Sequence, residues 1–194
     1  MPNVTVRHRG KKNLFIHNDL LNAAHYYRML IDERLKRDDR KGIAFDCMSC
    51  LILLAFSFEA TVNFFGIKKV ADWRDRVPFN RKVETLFAEL KLSTNATTRP
   101  YSTIDTLKTF RDLIAHGKPM TIEYDDVREL PAENVERPFQ LQGDWERWCT
   151  PDVVFQIYKD VDQIVQEIHE RSKIGWYDTL STDESSMTLV PKTA

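Results

Sequence analysis

The sequence predicts an all-α protein, a helical bundle of about five helices with a small irregular or β-hairpin insertion before the last one. Three observations carry this. Apolar residues recur at helical spacing in several separate segments. One further run, "CMSCLILLAFSF" over 47–58, is apolar nearly all round and belongs at a centre covered by other helices. Only six glycines occur in 194 residues, which suits helices better than a turn-rich β architecture.

The first element is a basic, irregular segment over 1–16, with room for a short strand at "VTV". No apolar run follows its positive charges, so it does not read as a signal peptide. Residues 17–37 form an amphipathic helix, with Leu20, Leu21, Ala24, Met29 or Leu30, and Leu35 on its apolar side. Gly42 breaks the chain before a long second helix over 43–65, which Gly66 ends. "IKKVADWRDR" reads as a short helix, and Pro78 separates it from a third clear helix over 79–91.

The next helix runs from Ser102 to His116. Ser102 and Asp105 have capping-box spacing, Gly117 stands where a C′ glycine belongs, and Pro119 follows. Residues 118–150 change character: "MTIEY" alternates like a strand and "RPFQLQ" is its candidate partner. The last helix spans 150–173, with Thr150 as cap, Pro151 at N1, and a stripe of Val154, Ile157, Val161, Ile164 and Ile168. The domain is therefore expected over 17–177, with the insertion at 118–150 and a polar, disordered tail over 178–194.

Composition narrows the function classes. A net charge of −1 gives no overall pull toward nucleic acid or acidic membranes, so such binding has to come from a local patch. Three cysteines make no disulfide framework and fit a reducing cytoplasm. The 47–58 run is too short to span a bilayer, and no membrane association is expected. The N-x-T sequons at Asn3 and Asn95 read as chance. G-x-G-x-x-G, Walker, H-E-x-x-H and G-x-S-x-G patterns do not occur, which weakens nucleotide-hydrolase and protease readings.

The stretch "TFRDLIAHGKP", 109–119, stands out. With Ile104 set to zero at about 100° per residue, Leu107, Phe110 and Ile114 fall at roughly 300°, 240° and 280°. Arg111 falls at about 340°, within that apolar side. A guanidinium cannot shed its charge, so it needs a partner or a solvated cleft. His116, at about 120°, lies off the stripe in the last turn. A plain structural reading exists: Arg111 snorkels along the bundle edge and His116 caps the final carbonyls. Upstream, Glu59 and Asn63 are the only strongly polar residues in "AFSFEATVNFFG", 55–66, and their i, i+4 spacing puts them on one face. A buried Glu needs a partner, so Glu59 is expected to meet Arg111.

Arg111-Asp112-Leu113-Ile114-Ala115-His116 resembles the R-x4–6-H motif of the HEPN superfamily, the higher eukaryotes and prokaryotes nucleotide-binding domains. "AHGKP" and the Glu-Ala-x-x-Asn segment from Glu59 to Asn63 are similar to the corresponding parts of that family. The resemblance covers residues 17–116 and the last helix, and leaves 118–150 unexplained. It implies a helical bundle that dimerises through the Arg111–His116 helix and cuts RNA without metal or cofactor. In that scheme His116 is the acid or base, Arg111 holds the scissile phosphate, Asp112 orients either, and Lys118 is an added phosphate ligand. A solvated Lys118 is the competing reading. The resemblance also admits a toxin or phage-defence role with an antitoxin or operon partner, or a catalytically silent binding module. HEPN partners of minimal nucleotidyltransferases carry a tyrosine two residues past the histidine; Lys118 occupies that place, so that pairing is not expected.

Other residues read more plainly. Cys47 and Cys50 form a C-x2-C inside an apolar helix with no second pair, which points to packing rather than zinc. Arg7, Arg9, Lys11 and Lys12 could touch RNA backbone or simply be solvated. The cations over 34–41 are interleaved with acids and read as a neutralised surface. His8, His17, His25 and His169 have no usable spacing, and Trp73, Trp145, Trp148 and Trp176 read as packing residues.

Overall fold

The computed structural model describes residues 4–93, 95–123, 125, 127, 129 and 143–190. Five helices form the body: α1 (Ile16–Lys36), α2 (Ile43–Lys69), α3 (Phe79–Leu90), α4 (Ser102–Ala115) and α5 (Pro151–Ser172). Helix α2 packs against all four others. Its Cys50, Leu51, Leu54, Phe58 and Val62 are essentially inaccessible to solvent, as its all-round apolarity requires. At 27 residues α2 is long and apolar enough to cross a membrane, but 61% of its most apolar window is buried inside the protein. It is a core helix.

Helix α1 buries His17, Ala24 and Ile31, seven residues apart, with Leu21, Tyr27 and Leu35 beside them. Met29, expected on this face, is exposed, and Ile31 takes the core position instead. The α5 stripe is buried at all five expected positions. Asp160, 4% exposed, breaks that stripe's apolar character. It accepts bonds from Arg99 Nε and Nη2 at 2.9 Å each and from Thr103 Oγ1 at 2.5 Å. This arrangement ties the loop before α4 to the last helix.

Three local expectations are corrected. Gly66 does not end α2, which continues to Lys69. The returning chain lays the Trp73 indole on Gly66, where a Cβ would sit 2.4–2.5 Å from the ring. Close approach, not termination, explains this glycine. The residues after Lys69 form turns rather than a separate short helix. Among the described residues the α4 N-cap is Tyr101 with no side-chain capping bond, so Ser102 and Asp105 do not make a capping box. The α4 N-terminal amides bond to preceding carbonyls instead, Ser102 to Thr98, Thr103 to Pro100 and Ile104 to Tyr101.

The chain ends differ most from expectation. Val6–Asn13 (β1) and Thr182–Leu189 (β2) pair as an antiparallel ribbon, from Val6↔Leu189 to Asn13↔Thr182. Within the tail expected to be disordered over 178–194, Thr182–Leu189 is thus a strand, and the N-terminal strand runs well past "VTV". Strand β1 supplies the pairing that a polar segment like β2 lacks on its own. Every residue of both strands is exposed. The ribbon is anchored at its foot, where Ser181 Oγ accepts the Phe15 N–H at 3.0 Å and Asn18 Nδ2 donates to the Thr179 carbonyl at 2.8 Å. The hairpin expected between "MTIEY" and "RPFQLQ" lies largely outside the described residues; residues 120–123 form no strand.

Candidate functional site

Helix α4 presents two different sides at the motif. Its apolar side carries Ile104, Leu107 and Phe110 into the core, with Ile114 partly buried beside them. Arg111 extends from the same side, with a side chain 21% exposed. Its Nη1 bonds to Glu59 Oε2 on α2, as the sequence led one to expect. Its guanidinium carbon also lies 5.7 Å from the centre of the Phe79 ring.

The ion pair is part of a longer chain of charges. Glu59 Oε1 accepts from Lys82 Nζ of α3 at 3.2 Å. Arg111 Nε and Nη2 donate to Asp112 Oδ1 at 3.1 and 2.9 Å. Lys108 Nζ donates to Asp112 Oδ2 at 2.9 Å. The order is Lys82–Glu59–Arg111–Asp112–Lys108, three cations around two carboxylates. The bond from Lys108, reinforced by Arg111, holds the Asp112 carboxyl below the usual carboxylate range.

His116 lies past this chain on the other side of the helix. It is exposed, and its backbone N–H donates to the Asp112 carbonyl at 3.0 Å. Helix α4 ends there without a left-handed glycine, since Gly117 has no positive φ. His116 lines an open groove of about 590 Å³ together with Lys108, Asp112, Lys118, Asp144 and Trp145. The insertion therefore contributes to the groove at both ends, with Pro119 and Met120 at one and Asp144 and Trp145 at the other. Trp148 fixes the second end by packing edge-on to Phe110, with ring centres 6.0 Å apart. Arg111 is not among the groove's lining residues. One chain thus brings Asp112, His116 and Lys118 to the groove and keeps Arg111 behind it, joined through Asp112.

Asn63, one turn beyond Glu59, does not join the network. Its buried Oδ1 has no hydrogen-bond partner among the described residues. Lys82, Lys108 and Phe79 are site residues that the sequence reading missed. Lys82 had a signal: it falls in the stripe of Phe79, Val83, Leu86 and Leu90, and a lysine there needs an acid as much as Arg111 does. Among the described residues no three His, Cys, Asp or Glu side chains converge as metal ligands. Cys47 and Cys50 are buried, and burial pushes both thiols up to about 12, far from ready thiolates. Comparison with known proteins returns no matching family model, no matching curated protein and no matching solved structure.

Proposed function

We propose that this chain is a HEPN-like, metal-independent endoribonuclease acting in the cytoplasm as a homodimer through α4. The observation that carries the reading is the role of Asp112. One of its oxygens holds Arg111, while its side chain shares a groove with the exposed imidazole of His116. A second copy set against this helix brings a second His116 to the same cleft, each with its Arg111 held behind it through Asp112. In the chemistry we propose, His116 takes the proton of a ribose 2′-hydroxyl. The 2′-oxygen bonds to phosphorus, the bond from phosphorus to the 5′-oxygen breaks, and the partner's histidine protonates that oxygen. An imidazole nitrogen can both accept and donate a proton, which suits both transfers. Arg111, with Lys118 beside the histidine, offsets charge developing on the phosphate. A toxin or defence role, with an antitoxin as partner, fits such an activity.

One observation favours a second reading. Arg111 is already bonded to two carboxylates, Glu59 and Asp112, as a purely structural arginine would be. In that case the domain is a catalytically silent binding module. The two readings separate in a cleavage assay on single-stranded and structured RNAs, comparing wild type with His116→Ala and Arg111→Ala. Loss of cleavage in both variants supports the enzyme. No cleavage by wild type, with a lowered melting temperature in Arg111→Ala alone, supports the silent module.

A further inference from the structure

The ribbon of β1 and β2 has two unlike faces. Because side chains alternate along a strand, the register puts Arg7, Arg9, Lys11 and Asn13 on one face, opposite Thr188, Ser186, Glu184 and Thr182. Alternate residues on a strand stand about 6.8 Å apart, so three cations form an evenly spaced row. Arg7 and Arg9 oppose hydroxyl residues, and neither makes an ion pair among the described residues. The row does not stop at the ribbon. Lys11, Asn13 and Thr182 also line a groove of about 660 Å³ at its foot, where Lys68 from the end of α2 and Lys173 after α5 join them. Asn13 Nδ2 donates to Thr182 Oγ1 at 3.0 Å and marks the passage from face to groove. Tyr177, 86% exposed, stands on the groove wall.

Five cations thus follow one path, against two acids, Glu184 opposite Lys11 and Asp178 in the groove. In a chain of net charge −1 this is a local concentration, and its chemical complement is a polyanion. The exposed tyrosine selects among polyanions. A phenol ring beside a basic track stacks unpaired bases, which a duplex keeps hidden. We propose that the Arg7–Arg9–Lys11 face and the groove at its foot bind a single strand of RNA along its backbone, as a surface distinct from the His116 groove. The choice of RNA rests on the ribonuclease reading; the track itself does not.

The test uses a fluorescein-labelled 2′-O-methyl oligouridylate, which cleavage by 2′-hydroxyl attack cannot consume. Anisotropy is followed over a salt series. Wild type should bind with a steep salt dependence. The triple variant Arg7→Gln/Arg9→Gln/Lys11→Gln should bind at least about tenfold more weakly, its log–log salt slope reduced by about 0.7 for each phosphate no longer neutralised. Tyr177→Ala should weaken binding about tenfold with the slope unchanged. Glu184→Gln removes the acid facing Lys11 and should tighten binding, a gain that misfolding cannot mimic. Tight binding to wild type that the ribbon and Tyr177 variants leave untouched overturns the proposal, as does the absence of binding at low salt. Track binding without any RNA cleavage keeps this inference and removes the ribonuclease.

Discussion

Glu59 and Arg111 are joined across α2 and α4, and the other carboxylate oxygen of Glu59 holds Lys82 at 3.2 Å. One acid therefore serves two cations, and the Lys82 side chain is only 6% exposed. Glu59→Gln should destabilise the fold by about 3 kcal/mol, because it leaves a buried ammonium without an anion. Lys82→Met should cost less than about 1.5 kcal/mol, since Glu59 keeps Arg111 and a thioether fits among Phe79, Val83 and Leu86. Urea unfolding of the two variants gives the comparison; equal losses would contradict it.

The two motif residues should respond differently to substitution. His116 is exposed at the end of α4. His116→Ala should leave stability within about 0.5 kcal/mol of wild type and lower RNA cleavage by about 10²–10⁴-fold. Arg111→Lys keeps a cation for Glu59 but loses the planar fork that also grips Asp112. It should lose more rate than stability, read from cleavage rates beside thermal melts.

Acid should weaken the fold in two windows. His17 and His169 are buried, and burial holds both imidazoles below the ordinary histidine value of 6.5. The unfolded chain then binds protons more readily than the folded one. The stability they contribute is full above pH 6.5 and is lost as pH falls below it toward their folded values. Asp112, held below the ordinary 3.8, adds a second loss at more acid pH. Urea midpoints measured from about pH 7.5 down to pH 5 should show the first window, and His169→Phe should flatten it.

The thiols should be silent in the folded protein. Cys47, Cys50 and Cys149 are buried, and burial raises them to about 12, 12 and 11. Labelling by a thiol reagent at neutral pH should follow unfolding, and rapid modification of any one of them in native buffer would contradict this.

Much of this was legible in the residues. The α5 stripe, the buried α2 and the partnership of Glu59 with Arg111 all follow from periodicity and from the cost of burying a charge. What the sequence hid depends on long-range pairing. Nothing in "TDESSMTL" marks a strand until β1, more than 160 residues away, lies beside it. Gly66 looks like a helix stop because its real neighbour, Trp73, arrives only when the chain folds back. The separation of Arg111 from the His116 groove follows from helical geometry, about 140° over five residues, but two residues of that groove's lining, Asp144 and Trp145, come from the far end of the insertion.

In the proposed reaction His116 and Arg111 cut RNA through the ribose 2′-hydroxyl. It is tested most directly by analysing the ends produced when purified protein cuts RNA in EDTA. The ends should be 2′,3′-cyclic phosphate and 5′-hydroxyl, absent with His116→Ala and absent when the 2′-hydroxyl at the cut site is methylated. Ends bearing a 5′-phosphate, or cleavage that persists in His116→Ala, would contradict it.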